Sequence, residues 1–342
     1  MSDAAAATRT RISTWPEPSE LAARAPEFSG LEFTSRIARG ELPQPAIGPL
    51  LDMWLTDATD GAAEYQVRPQ EFHYNPMGTV HGGLAAAMID SGTGIACQTT
   101  VPRGVGFTTM SLQVDYLKGI TVDSGLLSAR GKVVKRGRQT IIADADLTGP
   151  DGTVYARGST TCIVLPKMAS APPAAPGAGL REYRCSWDDP LAMAKARRSM
   201  TGLEFFTRMA KGELPPAPMY QACDIEIVAL GDGWSEFACT PGPHQYNPLG
   251  SLHGGIAATL IDSACGVSLQ STLAPSFIPA TMRLSIDYLR GIWASTGPLT
   301  CRGRLSHRTE TVAFADSEIV DAKGNLLVRG SGRFMISKVA KP

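Results

Sequence analysis

Residues 75–90 read NPMGTVHGGLAAAMID, and residues 247–262 read NPLGSLHGGIAATLID. The offset of 172 between Asn75 and Asn247 holds along the whole chain without a gap. It superposes Trp15 on Trp187, Gly30-Leu31-Glu32-Phe33 on Gly202-Leu203-Glu204-Phe205, and Asp115-Tyr116-Leu117 on Asp287-Tyr288-Leu289. It also pairs Gly131 with Gly303, Asp144 with Asp316, and Arg157-Gly158-Ser159 with Arg329-Gly330-Ser331. Because 172 is close to half of 342 residues, the chain is one domain written twice, and a period this long means whole domains rather than a solenoid.

Within each copy, pattern predicts a short helix at 30–39, stopped by Gly40 and Pro43. Extended runs follow at 50–57 and 62–68, with the Asp60-Gly61 hairpin turn between them. Residues 82–100 are rich in Ala, Leu, Met and Ile and nearly uncharged, which predicts a helix buried on almost every side. Strands are expected at 109–118, 126–135, 139–148 and 154–165. A helix that is apolar all round must be wrapped, and a curled antiparallel sheet is the only large element available to wrap it. The expected class is therefore α+β: two tandem hot-dog domains, paired through their open sheet edges into an internal pseudo-dimer. The boundaries are a tail at 1–29, a first domain at 30–166, an Ala/Pro/Gly-rich linker at 167–186 and a second domain at 187–338.

Composition narrows the function. Thirty-two basic against 32 acidic residues leave no net field to draw the molecule to nucleic acid or anionic lipid. No apolar run reaches the length of a membrane span, and residues 1–20 lack the pattern of a secretory signal, so a cytoplasmic protein is expected. The seven cysteines form no CxxC pair and are odd in number, which suits small buried hydrophobes better than a zinc ribbon or a disulfide framework. Of five histidines only His81 and His253 recur at the offset, so no metal site is expected.

The repeated segment carries the chemistry. The first turn of a helix leaves N–H groups unpaired and partly positive, and Gly82-Gly83 lets another molecule approach the bare backbone. Gly254-Gly255 repeats the arrangement, which makes each helix start a place for a developing oxyanion. Asp90 and its twin Asp262 are lone carboxylates in apolar sequence, costly unless they are hydrogen-bonded or line a wet cleft. Eight residues of helix put Asp90 roughly 12 Å from Gly82, too far for both to touch one carbonyl. If the two helices run antiparallel across the pseudo-two-fold, Gly82 meets Asp262 and Gly254 meets Asp90, giving two composite sites.

This signature resembles that of hot-dog acyl-CoA thioesterases of the phenylacetate-degradation type: N-P-x-G-x-x-H-G-G, then I-D six residues on. The resemblance implies hydrolysis of acyl-CoA, with coenzyme A as part of the substrate and no further cofactor. It implies oxyanion amides at Gly82 and Gly254, and Asp90 and Asp262 as nucleophile or general base. It further implies that Asn75 and Asn247 orient the thioester or water, that His81 and His253 hold the loop and polarise the site, and that Thr109 and Thr281 position water. Gly83, Gly255, Lys118, Arg290, Arg136 and Arg308 are the candidates for coenzyme A contacts, and Met88, Leu260, Phe107 and Phe277 for the pocket floor. Single-domain relatives of this type commonly pair as dimers of dimers, so a homo-oligomer of double hot-dogs is expected. The competing readings are a non-catalytic acyl-CoA sensor, which would need a DNA-reading element absent from the sequence, and an enoyl-CoA hydratase or dehydratase using Asp90.

Overall fold

A computed structural model describes residues 8–167 and 179–339. The first half runs β1 (Arg9–Trp15), α1 (Pro18–Arg24), α2 (Gly30–Ala38), α3 (Ile47–Leu51), β2 (Met53–Thr59), β3 (Ala62–Val67), α4 (Gly82–Thr99), β4 (Gly106–Tyr116), β5 (Leu127–Arg136), β6 (Thr140–Thr148) and β7 (Val154–Leu165). The second repeats it as β8 (Arg181–Trp187), α5 (Pro190–Ser199), α6 (Gly202–Ala210), α7 (Pro218–Ala222), β9 (Ile225–Gly231), β10 (Trp234–Cys239), α8 (Gly254–Gln270), β11 (Phe277–Tyr288), β12 (Leu299–Arg308), β13 (Val312–Asp321) and β14 (Leu326–Lys338).

Twelve strands form one antiparallel sheet in the order β2-β3-β5-β6-β7-β4-β11-β14-β13-β12-β10-β9. The halves join at β4 and β11, where Gln113 pairs with Ser285, its own repeat partner, and Leu112 pairs with Ile286. The pseudo-two-fold axis therefore passes through the Gln113–Ser285 pair. Each half closes its partner's open edge, which removes two of the four edges that separate domains would expose.

The sheet wraps α4 and α8. His81 caps α4: its extended backbone leads into the helix, and its ring Nδ1 accepts the Gly83 N–H at 2.9 Å. Every α4 residue from Gly83 to Gln98 is buried except Gly94. The helix lies so close to the sheet that a Cβ on Gly131 would sit 2.0 Å from the Gly92 carbonyl oxygen, and one on Gly303 would sit 2.2 Å from the Ala264 oxygen. Glycine at these two strand positions is thus a packing requirement.

Three local expectations change. Residues 50–57 do not form one strand, because Ile47, Leu50 and Leu51 pack into the core from α3 before Asp52 turns the chain through a left-handed conformation (φ 52°) into β2. Asp224 makes the same turn, also at φ 52°. The segment 1–29 is more than a tail: it contains β1 and α1, and Arg11 ties β1 to α3 by donating to the Leu50 and Pro49 carbonyls at 2.9 and 2.7 Å. β1 pairs antiparallel with β8, whose first six residues fall within the expected linker. Two strands so far apart in sequence satisfy each other's backbone groups, a partnership that neither segment shows alone. The rest of that linker, 168–178, lies outside the described residues.

Candidate active site

Helices α4 and α8 cross antiparallel. A Cβ on Gly83 would lie 2.2 Å from Thr259 Oγ1, and one on Gly255 would lie 2.4 Å from the Ala87 Cβ, so the second glycine of each pair lets the two helices touch. This close packing, with their N–H groups bonded to the preceding histidine, takes Gly83 and Gly255 out of the expected role in holding coenzyme A.

The same crossing brings each aspartate to the other helix's start. A Cβ on Gly82 would stand 2.7 Å from Asp262 Oδ2, and one on Gly254 would stand 2.7 Å from Asp90 Oδ2. The Gly82 and Gly254 N–H groups, first in their helices, find no acceptor among the described residues. Tyr116 and Tyr288 fasten the same two residues by donating to their carbonyls, at 3.1 and 2.9 Å.

Both aspartates are 6% exposed. Burial pushes Asp90 up to about 7, outweighing the Gly255 N–H and the Thr109 hydroxyl, which stabilise its charge. Burial also raises Asp262, opposed by His81 and by Thr281, whose hydroxyl donates to Asp262 Oδ1 at 2.9 Å. Asp90 Oδ1 differs: it is buried with no partner in hydrogen-bond geometry. A free carboxylate oxygen near neutrality is suited to take a proton from water.

The histidines brace. His81 Nδ1 accepts from Gly83 while Nε2 meets Ser263 Oγ of the other half at 3.0 Å; His253 bonds Gly255 and Ser91 in the same way. These contacts assign the proton to Nε2. Burial lowers both rings: His253, 3.5 Å from Asp90, falls to about 4 and is neutral near pH 7, whereas at His81 the charge of Asp262, 3.3 Å away, opposes the shift.

Asn75 and Asn247 are largely spent on their own loops. Asn75 Oδ1 accepts from the Met77 and Thr79 N–H groups at 2.8 and 3.3 Å, and its Nδ2 donates to Thr79 Oγ1 at 3.0 Å. Asn247 does the same with Leu249 and Ser251. Both carbonyl lone pairs are occupied, and one Nδ2 hydrogen is left to meet a ligand.

A cavity of about 350 Å³ opens beside Asp90 and runs along the later half of α4. Thr109, Asn247, His253 and Gly254 line it with Asp90; Phe107, Ile163, Leu165 and Trp293 give it apolar walls. Of the expected floor residues only Phe107 reaches it; Met88 and Leu260 are buried in the core, and Phe277 packs on the core instead. Arg290 stands on its rim, and its twin Lys118 is exposed with its ammonium 5.5 Å from the Tyr155 ring. Arg136 and Arg308 line no part of it. They donate to the Thr100 and Thr272 carbonyls, at 2.5 and 3.4 Å, where a cation complements the negative helix end. Among the described residues no cluster of His, Cys, Asp or Glu is placed to hold a metal.

Three sets of site residues escaped the sequence reading. Ser91 and Ser263 follow the aspartates in both copies, a signal that was present and unused. Tyr116 and Tyr288 lie in the repeated Asp-Tyr-Leu, but their grip on the helix start needs the fold to be seen. Tyr65 lines the cavity, whereas its repeat partner is Phe237, so no symmetry marks it.

The Thioesterase superfamily profile matches the chain twice, at residues 77–156 and 249–328. A Halobacterium salinarum protein whose name assigns it to the esterases is 30% identical over 118 residues, 33% of this chain and 76% of that relative. Acyl-coenzyme A thioesterase 13 of Homo sapiens is 27% identical over 108 residues, 31% of this chain and 76% of its own. A hot-dog protein of Alicyclobacillus acidocaldarius superposes on 84% of this chain and 96% of its own with a TM-score of 0.53 at 14% identity, a likeness of fold alone. With both copies matched and the opposed glycine and aspartate in each crossing, the chain belongs to the thioesterase superfamily and is a thioesterase of two tandem hot-dog domains.

Proposed function

We propose that the protein hydrolyses acyl-CoA thioesters to the free acid and coenzyme A, with Asp90 as general base and the Gly254 N–H as oxyanion donor. The observation that carries this reading is Asp90 at the cavity wall, with Oδ2 against the start of α8 and Oδ1 left without a hydrogen-bond partner. Water held near Thr109 gives a proton to Asp90 as it attacks the thioester carbon. The oxygen that becomes negative lies against the Gly254 N–H and the positive end of α8. Collapse breaks the C–S bond, and the thiolate, whose conjugate acid ionises near about 8.5, leaves with little help before Asp90 returns the proton. Arg290 at the rim is the candidate for the nucleotide phosphates, and the apolar walls suit an acyl chain. A thiol-release assay with dithionitrobenzoate on a panel of acyl-CoAs tests the reading. Turnover abolished by Asp90→Asn combined with Asp262→Asn supports it; a wild-type protein that releases no thiol, or a double variant that keeps full activity, refutes it.

A further inference from the structure

The signature is the same in both halves, but the neighbours are not. At the Asp90 site Tyr65, Ser91 and His253 form part of the cavity wall. Their repeat partners, Phe237, Ser263 and His81, surround one aromatic side chain at the Asp262 site, that of Tyr220 on α7. Its ring centroid lies 5.4 Å from that of Phe237, edge to face, and 5.9 Å from that of His81. Its hydroxyl lies close enough to Ser263 and Asp262 for both to act on the phenol. Tyr220 is buried, and its repeat partner is Gly48, which has no side chain to offer. Three groups whose counterparts wall an open cavity are thus covered by a residue whose counterpart is absent.

We propose that Tyr220 fills the acyl compartment of the Asp262 site, so that the two sites divide the substrates: the Asp90 site takes medium-length apolar acyl groups, and the Asp262 site takes only acetyl-sized ones. The inference rests on the reading of the protein as an acyl-CoA thioesterase. A buried aromatic ring removes the space that a chain of several methylenes needs, whereas the aspartate, the helix start and the bracing histidine remain in place for a substrate with almost no chain.

The test compares thiol release from acetyl-CoA and octanoyl-CoA by the full-length protein and its single variants. Asp90→Asn lowers the octanoyl-to-acetyl ratio and Asp262→Asn raises it, with the two ratios at least tenfold apart. In the Asp90→Asn background, Tyr220→Gly, which copies Gly48, restores octanoyl turnover at least tenfold. Tyr220→Phe, which keeps the ring and loses only the hydroxyl, does not restore it. Equal ratios in the two aspartate variants overturn the proposal even if Tyr220→Gly fails to fold. So does a folded Asp90→Asn/Tyr220→Gly protein, checked by thermal unfolding, that gains no octanoyl activity. A wild-type protein inert on the whole acyl-CoA panel defeats the acyl-CoA reading itself, and this inference with it; a wild type active on the panel but inert on these two substrates, or active on them with equal ratios, defeats only the inference.

Discussion

The Asp90 and Asp262 sites are built from the same sixteen-residue segment used twice, and they differ in what surrounds it. At the first, a cavity lies beside a carboxylate with one free oxygen. At the second, Thr281 and Ser263 bond to Asp262 and His81, and Tyr220 covers the ground between them. Motif and environment are therefore separable: the segment fixes where the acid and the amide meet, and the elements packed around it decide what can enter.

The largest expected effect is on turnover. Replacing both aspartates by asparagine removes the base from each site and lowers kcat by about 10²–10⁴-fold, the range general-base catalysis commonly supplies. Steady-state thiol release measures it. If one site does all the work on every substrate, one single variant reproduces the whole loss, and the comparison of the two sites sharpens to a comparison of one.

The next effect is stability, and it runs against function. Asp90 rises from 3.8 to about 7 on folding, so the folded protein holds that proton more tightly than the unfolded chain does. Its contribution is fully present below pH 3.8 and is lost as pH climbs toward 7, leaving a buried charge above that point. At ~1.4 kcal/mol per pH unit, the cost at pH 8 is of order 4 kcal/mol as an upper figure. Asp90→Asn should raise Tm at pH 8 and change it little at pH 4. Thermal melts at the two pH values check this, and an unchanged Tm at pH 8 would break the link between the free oxygen and burial.

The same carboxyl sets the pH profile. Octanoyl-CoA hydrolysis should increase as Asp90 ionises through about pH 7 and level off above it, because only the carboxylate can accept the proton. A profile flat from pH 5 to pH 8 would remove Asp90 from the role of base.

How far the sequence reveals this molecule depends on distance along the chain. The two-domain plan, the buried helices and the antiparallel crossing are legible because one exact offset and eight residues of helical rise constrain them. Strands β1 and β8 are not, since each becomes a strand only by pairing with a segment 172 residues away. Asn75 and Asn247 show why a motif residue need not touch substrate: the Asn-Pro turn uses most of the amide for itself. Arg136 and Arg308 were legible as a repeated pair but not as helix caps, because the carbonyls they reach belong to another element. Tyr220 hides in the short stretch where the copies diverge, Gly48 against Tyr220, and its effect appears only when α7 is seen over Asp262.

The smallest effect expected is at those arginines. Arg136→Ala should cost under about 1 kcal/mol through the lost contact with the C-terminal end of α4, and should leave the KM for acyl-CoA within twofold. A large rise in KM would return Arg136 to the substrate.

The central claim is that each site takes its acid from one half and its amide from the other. Two double variants, assayed for acetyl-CoA hydrolysis, test it most directly. Gly254→Ala places a methyl group against Asp90, and Gly82→Ala places one against Asp262. Asp90→Asn/Gly254→Ala damages one site twice and should keep the residual activity of Asp90→Asn, whereas Asp90→Asn/Gly82→Ala damages both sites and should lose it. The reverse ranking, with Gly82→Ala harmless to Asp90→Asn and Gly254→Ala abolishing what remains, would show that each aspartate works with the glycine of its own helix.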